Sequence, residues 1–197
     1  SVEIGSGANP GDRVWYSTST NAKRKYANTW ELNETRDGDF IGINTLRANQ
    51  LVRAAIETDL IPTLMGYGQL QAEVKYGQEN SRIDLLLSEH PQQSRCYVEV
   101  KSVTLCEQRE DVRLGYFPDS VSDRGRKHLR ELMDVVAQGY RGVLVYCVQH
   151  TKIREVRPAL HIDPAYSHAL QLAQAAGVEV LAFRATISAR HIQLAEA

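Results

Sequence analysis

The chain has 197 residues, of which 43% are hydrophobic and 24% charged, and its formal net charge is −1. These values are typical of one globular domain, or of one domain with a small companion, and argue against a strongly basic nucleic-acid-binding protein. No apolar run approaches the ~20 residues of a membrane-spanning helix. The three cysteines form no CxxC pair. We therefore expect a reduced, cytoplasmic protein with no membrane partner and no cysteine-based zinc site.

The first part of the chain, residues 1–40, is rich in Gly, Asn, Thr and Ser and has the pattern of short strands and turns. Its apolar content is too low for a core of its own, which predicts either a truncated small β-module or an appendage docked on the rest. A helix is predicted next, because apolar residues recur at helical spacing in TLRANQLVRAAIETDLI, namely Val52, Ala55, Ile56 and Leu60, and Pro62 follows.

The rest of the chain alternates strands and helices. Three strand-like runs, YGQLQAEVKYG, SRIDLLLS and RCYVEVKSVTL, are separated by turn residues. A second helix is indicated by the apolar stripe of Leu129, Leu132, Met133 and Val136. Then follow a buried strand in RGVLVYCVQ, a third helix in DPAYSHALQLAQAAG and a strand in VEVLAFRAT. This order predicts an α/β (α+β mixed) fold, in which a mixed sheet is flanked by helices.

Charged residues interrupt two of the predicted core strands. Glu99 and Lys101 share one face of YVEVKSV, ~6.6 Å apart at ~3.3 Å per residue, and Asp84 interrupts SRIDLLL. If these strands pair around the HPQQS turn, the three side chains converge. The alternative is that Glu99 and Lys101 are a solvent-facing pair and Asp84 a carboxylate near a turn, and spacing alone does not decide between them.

Convergence would imply chemistry on phosphates. Two carboxylates in a partly dry pocket repel each other unless a proton, a salt bridge or a hard cation relieves them. Mg²⁺ or Mn²⁺ held by Asp84 and Glu99 would stabilise charge on an attacked phosphate and make a water more acidic. Lys101 would orient or deprotonate that water, or neutralise the transition state. If the three side chains converge, Asp84, Glu99 and Lys101 would therefore be the catalytic residues of a metal-dependent phosphodiesterase.

The same order of elements, with an Asp on the second strand and ExK on the third, resembles the PD-(D/E)XK nuclease-like superfamily. Several phrases resemble one family more closely, the sugar fermentation stimulation protein A (SfsA) family. They cover nearly the whole chain, in order: NAKRKYANTWEL, GINTLRANQLV, EVKYGQENSRIDLLL, CYVEVKSVTL, FPDSVSDRGRKHLREL, HIDPAY and GVEVLAFRA.

This resemblance implies a fold, a partner and site residues. Residues 1–40 would be the remainder of an N-terminal OB-like β-barrel whose first strands are missing, and residues 41–197 a PD-(D/E)XK nuclease-like domain. DNA binding and a role in regulating sugar metabolism are also implied. Asp84 matches the superfamily's PD aspartate, with Ile83 in place of the proline, and Glu99 and Lys101 match its ExK.

Three further residues near the predicted site have open roles. Some members of the superfamily use a glutamate of the first helix, for which Glu57 is the candidate, although Glu57 could equally pair with Arg53 at i, i+4. Asp119 lies just before the second helix and would either help to start that helix or bind metal. His128 is expected to be structural or to face phosphate rather than to be catalytic.

Two basic patches are candidates for contacting nucleic acid. The first is Lys23, Arg24 and Lys25, which are flanked by Tyr26 and Trp30. Phosphates attract cations and unstacked bases attract aromatic faces, but short runs of this kind are also common in solvated turns.

The second patch lies in the first turns of the second helix and comprises Arg124, Arg126, Lys127 and Arg130. The helix dipole disfavours cations at this position, so a phosphate backbone would explain them. Arg130 has the alternative of pairing with Glu131 or Asp134.

The sequence leaves more than one function open. The first is a DNA-binding, divalent-metal-dependent nuclease that uses the predicted trio. The second is a non-catalytic DNA-binding regulator of sugar (maltose) metabolism genes. The third is a binding module for a sugar or another small ligand, which no feature of the sequence supports.

Overall fold

The computed structural model describes residues 9–77, 81–109 and 112–195. Within these ranges the chain forms twelve strands and three α-helices. The helices are α1 (Leu46–Glu57), α2 (Asp123–Ala137) and α3 (Pro164–Ala175). The strands are β1 (Arg13–Thr18), β2 (Asn28–Glu34), β3 (Phe40–Gly42), β4 (Gln69–Tyr76), β5 (Ser81–Ser88), β6 (Cys96–Val103), β7 (Leu105–Arg109), β8 (Val112–Phe117), β9 (Arg141–Val148), β10 (Glu155–Pro158), β11 (Glu179–Ile187) and β12 (Ile192–Leu194). Over the described part of the chain, no helix combines the length and the apolar character needed to cross a membrane.

The centre of the fold is a six-stranded mixed sheet in the order β12-β11-β9-β6-β5-β4. Strands β4, β5 and β6 are antiparallel neighbours joined by short connections, whereas β6, β9 and β11 are parallel. Parallel neighbours need long crossovers, and α2 and α3 lie in these connections. The predicted mixed sheet flanked by helices is therefore confirmed.

Helices cover both faces of this sheet. On one face, Val52 of α1 packs in the same apolar cluster as Val98 and Val100 of β6. On the other face, Leu129 of α2 packs in a second cluster with Leu144 of β9. Because side chains alternate across a strand, the residues between and after the β6 valines, at 99 and 101, lie on the α2 side. This alternation positions the candidate site between the sheet and α2.

A second, three-stranded sheet was not predicted from the sequence. It has the order β10-β8-β7, with β10 parallel to β8 and β7 antiparallel to it. The run RCYVEVKSVTL, predicted as one strand, is divided at Thr104 into β6 and β7. These strands are short, and α2 and β9 lie between β8 and β10 in the sequence. No local periodicity therefore reveals that β8 and β10 pair.

The N-terminal sheet, β1-β2-β3, is antiparallel and attached to the main body. Ile41 forms a bridge with His150, and the Gly42 amide donates to the Gln149 carbonyl at 2.8 Å. Strand β3 spans the predicted boundary between residues 1–40 and 41–197. The division into an OB-like remnant and a nuclease-like domain stays a prediction, and residues 1–8, 78–80, 110–111 and 196–197 of it lie outside the described residues.

Candidate functional site

The candidate site lies where strands β5 and β6 separate. Their antiparallel register ends at Leu85 opposite Val98, and the next positions in that register are Asp84 and Glu99. At this point the Val100 amide donates a hydrogen bond of 2.8 Å to Oδ2 of the Asp84 carboxylate. The Asp84 carboxylate thus accepts a hydrogen bond that a backbone carbonyl would accept in a continuous ladder. We call this point, where β5 and β6 separate at Asp84 and Glu99, the strand fork.

Two hydrogen-bond donors fix the Asp84 carboxylate, and its burial near Glu99 disfavours its ionised form. The amide nitrogen of Asn49, on α1, donates to its Oδ1 at 2.7 Å. Burial raises the pKa of Asp84 to about 6, and the negative charge of Glu99 adds to this rise, against the two hydrogen bonds and the Lys101 charge. A carboxyl that resists ionisation gains most from a cation placed beside it.

Glu99 is almost fully buried, with 2% of its side chain exposed. Its Oε1 accepts a hydrogen bond of 2.7 Å from Lys101 Nζ and contacts His128 Nδ1, whereas its buried Oε2 has no hydrogen-bond partner among the described residues. Burial alone would raise the pKa of Glu99, but the His128 hydrogen bond and the Lys101 charge outweigh it and hold the pKa below its usual value. Glu99 therefore presents one ionised, uncommitted oxygen, and the pair with Lys101 is not solvent-facing.

His128 belongs to this site, a position that the sequence alone did not indicate. The ring is buried on α2, and its Nδ1 lies 3.0 Å from Lys101 Nζ. Arg124 Nε donates to His128 Nε2 at 3.4 Å, so in the neutral ring the proton is on Nδ1 and is donated to Glu99. His128 and Lys101 thus hold the same oxygen of Glu99.

Two more buried polar residues surround the site. Glu131 is 1% exposed on α2, and neither of its carboxylate oxygens has a hydrogen-bond partner within the described ranges. Burial raises the pKa of Tyr76, and so do the charges of Glu99, Glu131 and Asp84, in that order. His128 and Glu131 are three residues apart on the buried face of α2, beside Leu132, and such polar residues in an apolar stripe were the available sequence signal.

The site residues fit a cation held mainly by two carboxylates. Among residues 9–77, 81–109 and 112–195, no three His, Cys, Asp or Glu side chains are arranged to hold one ion. Mg²⁺, however, is usually bound through one or two carboxylates and keeps several waters. Asp84 is already oriented by two donors, and Glu99 has an uncommitted oxygen. These two residues therefore suit an ion of this kind.

The other two predicted acids are both exposed. Glu57, at the end of α1, makes an exposed ion pair of 2.8 Å with Arg53, the alternative considered from the sequence. It follows Asn49, which contacts Asp84, by eight residues, or ~12 Å along the helix. Asp119 is exposed in the loop before α2, where Ser122 and not Asp119 is the N-cap.

The first basic patch lies at the exposed turn between β1 and β2. Arg24 donates to the Thr29 hydroxyl at 3.0 Å, and Lys25 Nζ lies 5.3 Å from the centre of the Tyr26 ring. Lys23 is exposed next to them. The three cations are accessible to a phosphate backbone, as a contact surface requires.

The second basic patch is only partly free. Arg126 pairs with Asp123 and, at 3.2 Å, with the buried Asp163, which explains a cation near the start of α2 without a phosphate. Lys127 is half-buried and has an interaction within the protein. Arg124 is exposed and contacts His128, so of the predicted patch it is the residue joined most directly to the site.

Comparison with known proteins gives three consistent findings. Residues 46–191 match the family model described as the sugar fermentation stimulation protein RE domain. The chain is 56% identical, over 177 residues, to a sugar fermentation stimulation protein homolog of Aeromonas hydrophila subsp. hydrophila, with 90% of this chain and 71% of that protein covered. It is also similar to the structure of Pyrococcus furiosus SfsA in complex with Ca²⁺, with a TM-score of 0.82, 26% identity, and coverage of 95% of this chain and 77% of that one.

Proposed function

The chain belongs to the sugar fermentation stimulation protein family, and we propose that it binds DNA and hydrolyses phosphodiester bonds with a divalent cation, Mg²⁺ or Mn²⁺. One observation carries this proposal: Asp84 and Glu99 are adjacent at the strand fork, and Glu99 has a buried oxygen without a partner among the described residues. The Ca²⁺ of the Pyrococcus furiosus SfsA structure supports a divalent-cation site in this fold.

Asp84 and Glu99 would hold the cation. When bound, a divalent cation places positive charge beside the phosphate and makes water more acidic. Asn49 and the Val100 amide fix the orientation of Asp84 before any ligand arrives. Glu99 is fixed through Oε1, so Oε2 is the oxygen that it offers. This arrangement is preorganised, which reduces the cost of assembling the site.

Lys101 would act on the water or on the phosphate. Its ammonium is held 2.7 Å from Glu99 Oε1 and 3.0 Å from His128 Nδ1, and 12% of its side chain is exposed. A largely buried cation at this position orients a water or neutralises charge that develops on the phosphate. His128 is a positioning residue in this scheme, since it touches Glu99 and Lys101.

DNA would be bound mainly through its backbone phosphates. Lys23, Arg24 and Lys25 supply accessible cations at the β1–β2 turn, and Arg124 supplies one near the site. We place this activity in the cytoplasm, because the three cysteines are free thiols, as expected in a reducing compartment.

A second candidate function is a DNA-binding regulator of sugar (maltose) metabolism genes that does not cleave. It is favoured by the small number of candidate metal ligands at the site, because the described residues contain no group of three side chains suited to one ion. The family name also favours it, since it refers to sugar fermentation.

Cleavage of supercoiled plasmid DNA in Mg²⁺ or Mn²⁺ distinguishes the two. We expect the unmodified protein to nick the plasmid, Asp84→Asn to lose nicking, and both to retain DNA binding in gel shifts. Glu57→Gln is the matched control, because it removes an acid that was also predicted but is exposed and paired with Arg53. No cleavage of several DNA and RNA substrates, with binding retained, would support the regulator. Undiminished cleavage by Asp84→Asn would contradict the assignment.

A further inference from the structure

A cavity of about 390 Å³ lies between the N-terminal sheet, α1 and the turn that joins β11 to β12, away from the strand fork. Its walls come from three parts of the chain, represented by Trp15, Arg47 and Arg190. Its volume is within the ~300–1,000 Å³ typical of small-ligand sites. None of the candidate site residues Asp84, Glu99 and Lys101 lines it.

One wall of this cavity is aromatic. Trp15 and Tyr16 are consecutive residues of β1 that both line it, and Tyr16 is 62% exposed. The Trp15 indole is anchored by a hydrogen bond of 3.2 Å to Glu34. Trp15 is half-buried and packs against the apolar cluster that contains Val52 and Val98, whereas Tyr16 is accessible and offers a π-face on which a planar ligand can stack.

The same cavity has a surplus of positive charge. Arg47 is held by Glu31, with Nε and Nη2 at 3.0 and 3.1 Å from its two carboxylate oxygens, so these charges largely cancel. The exposed Arg190 guanidinium makes no hydrogen bond or ion pair with other residues of the described ranges. A free guanidinium beside an aromatic wall combines an anion-binding fork with a stacking surface.

We propose that this cavity binds a nucleoside phosphate, with the base against Trp15 and Tyr16 and the phosphate on Arg190. Gln50, which also lines the cavity, supplies an amide for the sugar hydroxyls. The ligand is either a free mononucleotide or one unit of single-stranded nucleic acid, which share this chemistry. The inference stands apart from the proposed phosphodiesterase, because the two sites share no residues.

Tryptophan fluorescence tests this directly. The chain has two tryptophans, and Trp30→Phe leaves Trp15 as the only one. Titration of this variant with adenosine 5′-monophosphate and with oligothymidylate should give saturable quenching, because a base stacked on the indole quenches it. Calorimetric titration of the unmodified protein with the same two ligands makes the result independent of how well the variant folds.

The affinities of the two ligands, and of the variants, identify which ligand binds and which residues bind it. Tighter binding of oligothymidylate supports a strand unit, and tighter binding of the mononucleotide supports a free nucleotide. Arg190→Gln should weaken binding about tenfold or more, as expected for a charge-assisted contact, whereas Arg53→Gln, an exposed arginine of α1 outside the cavity, should not. Adenosine, which lacks the phosphate, should bind about as weakly as the nucleotide binds to Arg190→Gln.

Three results would overturn the inference. They are no saturable binding of either ligand, equal affinity of Arg190→Gln and the unmodified protein, or equal affinity for adenosine and its monophosphate. Asp84→Asn should leave the quenching unchanged. If instead Asp84→Asn abolishes binding and Arg190→Gln does not, the nucleotide occupies the strand-fork site, so that this inference fails and the proposed function stands.

Discussion

Without divalent cations, the stability of Asp84→Asn relative to the unmodified protein should increase as the pH rises. In the folded protein, burial and the Glu99 charge raise the pKa of Asp84 from 3.8 to about 6. A folded pKa above the unfolded one means that the stability is complete below the unfolded value and is lost as the pH rises through about 6. Asparagine has the same shape but does not ionise, so the variant does not lose this stability.

The magnitude follows from the pKa shift. At ~1.4 kcal/mol per pKa unit, raising the pH from 4 to 7 should move the difference in unfolding free energy by about 2 kcal/mol in favour of the variant. The assay is urea unfolding of both proteins at pH 4, 5, 6 and 7 without divalent ions. Because both chains share every other titrating group, only the difference between them is used.

A divalent cation should reverse this advantage. Mn²⁺ at a hundred times its dissociation constant should stabilise the unmodified protein by about 2.7 kcal/mol, and should stabilise Asp84→Asn much less. A difference that is constant with pH, or that moves against the variant as the pH rises, would refute the placement of Asp84 beside a second buried carboxylate. Equal stabilisation of both proteins by Mn²⁺ would refute its role as a ligand.

Three further predictions concern other parts of the molecule. Lys101→Ala should lower DNA nicking on the order of 10²-fold while calorimetry shows Mn²⁺ binding retained; loss of Mn²⁺ binding would show instead that the lysine holds Glu99 in place. Replacing Lys23, Arg24 and Lys25 together with alanine should weaken DNA binding in gel shifts and reduce the slope of log affinity against log salt by roughly 2 to 3; an unchanged slope would exclude this turn as a contact surface. Burial lowers the pKa of His150 to about 4, so stability should fall by up to about 3 kcal/mol as the pH drops from 6.5 to 4, and His150→Asn should remove that part of the fall in urea unfolding.

The sequence was informative where function depends on strand periodicity. The two-residue period places Glu99 and Lys101 on one face and the β6 valines on the other, and the structure has this alternation. The antiparallel pairing of β5 with β6 follows from a short turn between two apolar runs. These local rules were enough to predict that Asp84, Glu99 and Lys101 lie close together.

Residues that reach the site from elsewhere in the chain could not be predicted in this way. Asn49 comes from α1, and His128 and Glu131 come from α2, so their contacts depend on how the helices pack on the sheet. His128 was expected to be structural or phosphate-facing, and its contact with Glu99, 29 residues away in sequence, is not visible in a local pattern. Likewise, Arg126 was predicted to contact phosphate, and its ion pair with Asp163 of the β10–α3 connection is not visible in a local pattern.

The position of a bound ion tests the proposed cation site most directly. A crystal soaked in Mn²⁺ and measured at a wavelength where manganese scatters anomalously should show a peak between the carboxylates of Asp84 and Glu99, with metal–oxygen distances of roughly 2.1 Å. We expect Glu99 Oε2 to be one of the ligands, since Oε1 is held by Lys101 and His128. No peak between these carboxylates at saturating Mn²⁺, or a peak only at other residues, would contradict the proposed cation site.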